Sequence, residues 1–378
     1  MVGKHKIAII FLDEIHHVYH FISVAVELAK NNNVHILTHP GKHTFLHNTL
    51  KKLNGENVVV EKLPTAAFRS FTDKLKRRKL PRKGFWIIKH QNYILKNFDA
   101  VIFTDYFHQY LLQARGNNTK PKFIKFPHGV AGRAYVYNKD LPDFDMHVIF
   151  GEYYYKQLKK KNLLSAQNAV VGYPKLDVLK NMETQNIFEN GKSVVFYNPH
   201  FSPPLSSWHF IGLDVLEFFY NSTEYNLIFA PHINLFNKVG GDDAKKIPEK
   251  YFNAENIYID LGSEKSVDMT YLNQADIYLG DVSSQAFEFI INPRPCIFLN
   301  PEKVKYKKDN SYRFWKSGKV IDSIEKLPKA LKKASKKFQK KYKTKQEKLT
   351  AGNFYSEEGS TASQRAATAI TEYLDQNL

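Results

Sequence analysis

Short apolar runs alternate with amphipathic segments along most of the chain. The runs have the length of buried strands, and the segments between them carry apolar residues at helical spacing. The predicted strands are Lys6–Phe11, Asn33–Leu37, Ala100–Phe103, Lys122–Phe126, Met146–Phe150, Ser193–Tyr197, Asn226–Ala230, Ile257–Ile259, Ile277–Leu279 and Ile297–Leu299. This alternation predicts an α/β protein with parallel sheets that are covered by helices.

The alternation pauses at a polar stretch, residues 181–192, and then starts again. A chain of 378 residues is also longer than one hydrophobic core usually supports. We therefore predict two Rossmann-like, doubly wound domains, at 1–180 and 190–350, that face each other across a cleft.

Residues 275–299 carry the most specific local pattern. An apolar strand is broken by Gly280-Asp281, and Ser283 or Ser284 can then cap a short helix. Free backbone N–H groups and two hydroxyls at a helix start suit a phosphate or diphosphate. The alternative interpretation is an ordinary capped helix in an α/β domain.

Two histidines directly follow predicted strands. Pro127-His128-Gly129 comes after the fourth strand, and Pro231-His232 comes after the strand that ends at Ala230. Ligands of doubly wound sheets bind outside the carboxyl ends of the strands, and a neutral imidazole there can accept a proton from a hydroxyl. Alternatively, these are loop histidines that hold the backbone together.

Several familiar site patterns are absent or incomplete. The sequence contains no GxGxxG after the first strand, no GxxxxGK[ST] and no GxSxG. His16, His17 and His20 have a spacing that zinc can use, but the glutamate of a zincin is missing, so we predict a polar rim at the end of the first strand. Asp143 and Asp145 form a DxD that we predict to end a loop. No metal site is predicted.

The net charge of +18 is concentrated in two places. Residues 326–348 hold eleven Lys and one Glu, beside an apolar stripe at helical spacing. Residues 74–83, KLKRRKLPRK, lead into Phe85-Trp86. Basic residues beside aromatic ones suit an anionic membrane surface or an anionic polymer. A solvated basic face is the main alternative. Nucleic acid is not expected, because no nucleic-acid-binding module is recognisable.

The single cysteine, Cys296, excludes a disulfide framework, and its apolar neighbours predict a buried side chain. No stretch of about 18 apolar residues and no signal-peptide pattern occur in the sequence. We expect a cytoplasmic protein, bound peripherally to the inner face of the cell membrane.

Four segments together point to a family. They are HGV at 128–130, DMHVIFGEYYYKQL at 145–158, VVGYPKLDVL at 170–179 and GDVSSQAFEFIINPRPCIFL at 280–299. In this order and spacing they resemble the CDP-glycerol glycerophosphotransferases of teichoic acid and capsule polymer synthesis. The stretch from Glu358 to Arg365 is similar to that family's closing segment.

The resemblance implies a GT-B fold, with an N-terminal acceptor-side domain, a C-terminal nucleotide-donor domain, and a last helix, residues 351–378, that crosses back to the N-terminal domain. It implies transfer of glycerol phosphate, or a related polyol phosphate, from a CDP-linked donor to a hydroxyl of a lipid-linked or polymeric anionic acceptor, with release of CMP. The nucleotide-linked donor is a substrate, and no cofactor is expected.

The resemblance also implies roles for individual residues. His128 takes the position of the proposed general base, and His232 that of a histidine that contacts the donor phosphates. Ser283 and Ser284 take the position of the paired hydroxyls of the phosphate loop, and Asp281, which begins this turn, is expected to belong to the same donor-phosphate site. After His128-Gly129 the family usually continues with Thr-Pro and a lysine, whereas this chain reads VAGRAY, so Arg133 is expected to replace the missing cation.

Two other functions stay open at this point. A nucleotide-sugar glycosyltransferase or epimerase in surface polysaccharide synthesis would have the same fold and similar motif spacing. A non-enzymatic protein that binds polyanions or membranes would have the same charge distribution.

Overall fold

The computed structural model describes residues 4–12, 15–75, 80–127, 129, 136–179, 185–237 and 240–378. These residues divide into two compact units. The first unit comprises the described residues up to 129, residues 136–179 and residues 352–378. The second unit comprises the described residues between 185 and 351. The acceptor-side and donor-side roles of the two domains stay predictions.

The first unit is built on a seven-stranded parallel sheet with the order β3-β2-β1-β4-β5-β6-β7. Its strands are β1 (Lys6–Phe11), β2 (Asn33–Thr38), β3 (Val59–Lys62), β4 (Ala100–Phe103), β5 (Lys122–Lys125), β6 (Met146–Ile149) and β7 (Gln167–Val170). In the central pair, Ile7 of β1 lies beside Ala100 of β4, and neither side chain is exposed. Central strands are covered on both faces, which is why their sequences are continuous apolar runs.

Helices cover this sheet. They are α1 (Val18–Leu28), α2 (Thr44–Lys52), α3 (Ala67–Leu75), α4 (Lys83–Asn97), α5 (Gln109–Arg115), α6 (Glu152–Lys160), α7 (Pro174–Leu179) and, from the end of the chain, the last helix Ala362–Asn377. The last helix begins with a capping box, in which Thr361 and Gln364 bond each other's backbone N–H groups. It packs against α1, and the Ser363 hydroxyl donates to Asp177 at the start of α7 at 2.7 Å.

Two glycines of the first unit leave room for residues 353–365 to pack against the first sheet. A Cβ atom on Gly151 would lie 2.2 Å from the carbonyl oxygen of Asn353, and one on Gly172, at φ 96°, would lie 2.4 Å from that of Tyr355. The Tyr355 N–H donates to Phe150 at 2.9 Å, and the Arg365 guanidinium donates to the Val171 carbonyl at 2.8 Å. The glycines of the GEYYY and VVGYP segments are therefore needed for the chain to close over the ends of β6 and β7.

The second unit holds a six-stranded parallel sheet with the order β10-β9-β8-β11-β12-β13. Its strands are β8 (Ser193–Asn198), β9 (Tyr225–Phe229), β10 (Ile257–Ile259), β11 (Ile277–Gly280), β12 (Cys296–Leu299) and β13 (Lys319–Ile321). Its helices are α8 (Trp208–Tyr220), α9 (Glu249–Phe252), α10 (Thr270–Gln274), α11 (Gln285–Phe289), α12 (Leu327–Lys332), α13 (Ala334–Lys337) and α14 (Lys343–Asn353), with a π-helical turn at Phe338–Tyr342. Both sheets are parallel and helix-covered, so the predicted fold class is confirmed.

The apolar stripe of the basic segment at residues 326–348 belongs to the core of the second unit. Leu327, Leu331 and Ala334 are part of its main hydrophobic cluster, and Phe338 and Tyr342 are also buried. The stripe is therefore not an exposed face that membrane lipid could cover.

Arg294, in the Pro-Arg-Pro segment, ties the helices that flank β11 together. Its guanidinium donates to the carbonyl groups of Leu272, Ala275, Phe289 and Asn292 at 2.7–3.1 Å and stacks on the Phe289 ring. Two residues later Cys296 is buried, as predicted, and burial raises the pKa of its thiol.

Candidate functional site

The residues predicted to bind the nucleotide-linked donor lie at the carboxyl ends of three neighbouring strands in the second sheet. The chain runs outward from β8 through β9 to β10, and then continues on the other side of β8 from β11 to β13. The order reverses between β8 and β11, and ligands of doubly wound sheets bind in the crevice at such a switch point. His200 follows β8, His232 follows β9, and Asp281 follows β11.

His200 and His232 are held by the same kind of turn. The Nδ1 atom of His200 accepts a hydrogen bond from the Ser202 N–H at 3.0 Å, and that of His232 accepts one from the Asn234 N–H at 3.2 Å. Because Nδ1 accepts, the neutral form of each ring carries its proton on Nε2. Both imidazoles are thus set as Nε2–H donors, which suits phosphate oxygens.

The two imidazole rings are also close to each other. Their centroids lie 5.6 Å apart, and the Phe201 ring packs against both, at 4.5 Å from His200 and 4.6 Å from His232. His200 is buried, whereas His232 is half-buried. His232 is therefore the more accessible of the two to a ligand at this edge.

Asp281 has a different place from the one that the sequence predicted. Its carboxylate is buried and accepts hydrogen bonds from the backbone N–H groups of His200, at 2.8 Å, and Ser207, at 2.5 Å. Burial raises the pKa of this carboxyl to about 6. The side chain fastens β11 to the end of β8 and the start of α8, so it positions the site and does not offer its oxygens to a phosphate.

The two serines of the turn differ from each other. The buried Ser283 hydroxyl accepts the N–H of Gln285 at 3.2 Å, which makes it the capping side chain of α11. Ser284 is half-buried and makes no side-chain capping bond in the described structure. Since α11 has only five residues, its dipole adds little, and the hydroxyl of Ser284 is the group best placed for a ligand.

The remaining predicted site residues lie in the first unit or fall outside the described residues. His128 and Arg133 belong to the latter group. His16, His17 and His20 lie at the start of α1, after β1; His17 and His20 are buried, and the His20 ring packs against Tyr173. A rim role is thus open only to His16, which is half-buried. Among the described residues, no cluster of three or more His, Cys, Asp or Glu side chains is arranged to bind a metal.

The DxD aspartates are structural. Asp143 accepts a hydrogen bond from the Gln109 side chain at 2.6 Å. Asp145 accepts one from Arg115 at 2.7 Å and one from the Phe123 N–H at 2.6 Å. Both carboxylates are engaged in holding the loop before β6, as the sequence predicted.

His200 was missed at the sequence level, although a signal was available. The chain contains three Pro-His pairs, at 127–128, 199–200 and 231–232, and each follows a strand. The sequence predicted site residues only in the first and third pairs. The second becomes conspicuous once β8 is seen to be the strand between β9 and β11.

The fold is shared with several enzymes of known structure. The wall teichoic acid polymerase TagF, solved as a histidine-to-asparagine variant soaked with CDPG, is 16% identical, with a TM-score of 0.62 over 99% of this chain and 90% of that chain. UDP-GlcNAc 2-epimerase from Neisseria meningitidis, bound to UDP-GlcNAc, is 14% identical, with a TM-score of 0.61 over 98% of this chain and 100% of that chain. Sucrose-phosphate synthase from Thermosynechococcus elongatus is 10% identical, with a TM-score of 0.55 over 99% of each chain. At these identities the likeness establishes the GT-B fold alone.

Sequence comparison identifies the family. No curated protein matches the chain at a significant level. The family model described as CDP-Glycerol:Poly(glycerophosphate) glycerophosphotransferase matches residues 86–372, about three quarters of the chain. The protein is therefore a transferase, and it belongs to the CDP-glycerol:poly(glycerophosphate) glycerophosphotransferase family.

Proposed function

We propose that this enzyme transfers glycerol phosphate, or a related polyol phosphate, from a CDP-linked donor to a hydroxyl of a cell-surface glycopolymer or lipid-linked acceptor, and releases CMP. One observation carries the proposal beyond family membership. His232, His200 and the turn from Asp281 to Ser284 converge at the switch point of the second sheet, where a nucleotide diphosphate is expected.

The reaction is a displacement at phosphorus. The acceptor hydroxyl oxygen forms a bond to the phosphorus that carries glycerol, and the bond from that phosphorus to the bridging oxygen breaks. The electron pair of the broken bond leaves with CMP, and the hydroxyl proton goes to a base. Negative charge grows on the leaving phosphate, so positioned hydrogen-bond donors lower the barrier.

The donors and the base are assigned as follows. The Nε2–H of His232 and the hydroxyl of Ser284 contact the diphosphate, while Asp281 and Ser283 hold the turn in place. The sequence assigns the base to His128 and a further cation to Arg133. Both roles rest on the family resemblance, because these residues lie outside the described part of the chain.

A donor screen tests the proposed reaction. Purified enzyme is incubated with CDP-glycerol, CDP-ribitol, UDP-GlcNAc and UDP-glucose, each with a short glycerol phosphate acceptor, and CMP and UDP are quantified. We expect CMP with stoichiometric extension of the acceptor. UDP release or epimerised UDP-GlcNAc, without CMP, would instead favour the glycosyltransferase or epimerase. Repeating the assay with a chelator tests the prediction that no metal cofactor is required.

Peripheral membrane binding is part of the same proposal, because a lipid-linked acceptor lies at a membrane surface. No helix among the described residues is long and apolar enough to cross a membrane. Helix α3, however, exposes Phe68, Phe71 and Leu75, each by at least 67%, and α4 exposes Phe85 and Ile88 nearby in sequence. Aromatic and aliphatic side chains next to a basic segment favour an interfacial helix.

The basic residues of this region are not all available to lipid. Arg82 pairs with Asp73 at 3.0 Å, and Lys83 pairs with Asp105 at 2.5 Å. Lys76 to Lys79 lie outside the described residues, and the sequence assigns them to anionic headgroups.

Binding to anionic vesicles should fall when Phe68 and Phe71 are changed to Ser, and also when Lys76 to Lys79 are reversed in charge. A Phe252→Ser control, at an exposed aromatic of the second unit, should bind like the wild type. Equal binding to neutral and anionic vesicles would contradict electrostatic docking.

A further inference from the structure

The segment from residue 327 to residue 353, in which α12 ends at Lys332 and α13 begins at Ala334, carries its lysines in rows. Lys329, Lys333, Lys337, Lys341 and Lys345 follow one another at intervals of four residues, and we name these five the lysine row. Side chains four residues apart on a helix are neighbours, with Cβ atoms about 5–6 Å apart. Lys332, Lys336 and Lys340 form a second, shorter series beside it. The lysine row thus repeats one positive charge per helical turn.

The π-helical turn at Phe338–Tyr342 helps to keep this row on one side. In a regular α-helix each step of four residues rotates the side chain by about 40° around the axis, so a long row winds away. A π-helical turn takes more residues and offsets part of that drift. Phe338, Tyr342 and Gln346 remain buried across this turn, while Lys341 and Lys345 remain exposed.

The charges of the lysine row are not neutralised. In the described chain, none of these five side chains forms an ion pair. The pKa of Lys337 is lowered by partial burial and by the positive charges of Lys319, Lys333, Lys329 and Lys341. Four other lysines are thus close enough to raise the cost of charging Lys337.

Acidic groups line a groove at the N-terminal end of the row, and Glu347 lies two residues after its last lysine, Lys345. Asp214, Glu217 and Glu224 line a surface groove of about 800 Å³ together with Lys329 and Lys332. Beyond this end, from Lys333 to Lys345, the row has no such neighbours among the described ion pairs. The lysine side chains in this part of the surface repel one another in the free protein, so an anionic ligand would relieve the repulsion.

Membrane lipid fits this surface poorly. An interfacial helix needs an apolar face to bury, and the apolar face of this segment already lies in the core of the second unit. In the described chain, no large hydrophobic side chain between Phe252 and Tyr355 is strongly exposed. The surface around α3 has the opposite character, with exposed aromatic residues. A hydrated polyanion therefore suits the lysine row better than a bilayer does.

We propose that the lysine row is a binding track for the acceptor polymer, a flexible chain of phosphodiesters. Lysine ammonium groups are compact point charges, and one charge about every 6 Å of helix matches phosphates separated by three-carbon units. A polymer held on the second unit stays at high local concentration near the donor site between additions. The proposal rests on the proposed function for the chemical class of the polymer.

The test neutralises four lysines of the row. The variant carries Lys333→Gln, Lys337→Gln, Lys341→Gln and Lys345→Gln. The control carries the same charge change at four exposed lysines without ion pairs in the described structure, namely Lys51→Gln, Lys52→Gln, Lys192→Gln and Lys245→Gln. Affinity for purified poly(glycerol phosphate) is measured by calorimetry over a series of salt concentrations, with glycerol 3-phosphate as the monomeric probe.

We expect the row variant to lose about tenfold or more in polymer affinity at low salt, and its salt dependence to flatten by roughly 0.7 per lost contact, as for single-stranded nucleic acid. The control should bind the polymer like the wild type, and neither variant should change CMP release with a short soluble acceptor. Unchanged polymer affinity in the row variant would overturn the proposal. So would a loss of binding to phosphatidylglycerol vesicles with polymer binding intact, which would assign the row to the membrane. Wild-type enzyme that binds the polymer through the row but releases no CMP from any donor would contradict the proposed function instead.

Discussion

The backbone N–H of His200 donates a 2.8 Å hydrogen bond to the carboxylate of Asp281, 81 residues further along the chain. The same carboxylate accepts the Ser207 N–H, so one buried side chain joins the ends of β8 and β11 to the start of α8. This junction lies at the switch point of the second sheet, beside both imidazoles of the proposed donor site. A substitution that weakens this junction should therefore change both the free energy of unfolding and the affinity for the donor.

The first prediction concerns the pH dependence of stability at Asp281. Its pKa is raised to about 6 in the folded protein, from 3.8, because burial disfavours the carboxylate. The folded state thus holds the proton more tightly than the unfolded state. The resulting stabilisation is complete below about pH 4 and is lost as pH rises through about 6. Asp281→Asn removes this contribution, so the wild type should lose of the order of 2–3 kcal/mol relative to the variant between these limits.

Urea unfolding of both proteins between pH 4.5 and pH 8 measures this difference. Asp242→Asn is a suitable control, since the pKa of Asp242 is lowered and its contribution to stability is therefore nearly constant over this pH range. Parallel stability curves for the wild type and Asp281→Asn would show that Asp281 does not titrate in this range.

The second prediction concerns His232. Its Nε2–H is assigned to the donor diphosphate, and a hydrogen bond to a charged group contributes about 1.5–3 kcal/mol. His232→Ala should therefore lower kcat/KM for the CDP-linked donor by about 10- to 100-fold, and His232→Gln, which keeps an N–H near the same place, should recover part of the loss. His209→Gln, at a partly exposed histidine on α8, should behave like the wild type. If His232→Ala has normal kcat/KM, the diphosphate binds elsewhere.

The third prediction separates the two serines. Replacement of both Ser283 and Ser284 by Ala should weaken donor binding by roughly 1–3 kcal/mol. Ser284→Ala alone should reproduce most of this loss with little effect on stability. Ser283→Ala should lower the free energy of unfolding by about 1 kcal/mol, because its hydroxyl caps the first turn of α11. Calorimetry with CDP-glycerol and thermal unfolding together give both values, and equal donor affinity in the double variant would remove the turn from the site.

The fourth prediction concerns His128 as the base. His128→Ala should reduce kcat by about 100-fold or more while donor affinity and the unfolding transition remain normal. His47→Ala, at an exposed histidine of the first unit, is the matched control. A normal turnover number in His128→Ala would exclude His128 from proton transfer.

The fifth prediction concerns Arg294. Its planar guanidinium donates to four carbonyl groups and stacks on Phe289, a geometry that a lysine cannot reproduce. Arg294→Lys should thus lower the free energy of unfolding by about 2 kcal/mol or more. Denaturant midpoints measure the effect, with Arg115→Lys as a comparison at a partly exposed ion pair. A loss no larger than that of Arg115→Lys would show that the fork geometry is not used.

Burial explains which elements the sequence could predict. Lys6–Phe11 and Ala100–Phe103 were predicted with correct bounds, because central parallel strands are apolar on both faces. The strands β3, β7 and β13 were missed. All three are edge strands with polar, half-exposed sequences, so they lack a continuous apolar run. The remaining edge strand, β10, was predicted because its sequence, Ile257–Ile259, is an apolar run.

The same reasoning applies to the candidate site. His232 and the serine turn could be found because each directly follows an apolar strand. The role of Asp281 could not, since its partners at His200 and Ser207 are 81 and 74 residues away and are backbone groups that leave no mark on residue type. The buried stripe at Leu327 and Leu331 was recognised as a stripe, but whether lipid or protein covers it depends on packing.

The Asp281 carboxylate fastens the start of the turn at Asp281–Ser284 to β8 and α8, and Arg294 joins α11, the helix that follows the turn, to α10. This backbone therefore loses its conformational entropy during folding and not during donor binding. Donor binding should consequently order little new backbone and produce only a small change in heat capacity, and its affinity should depend on how well a given nucleotide fits a rigid, preorganised cradle.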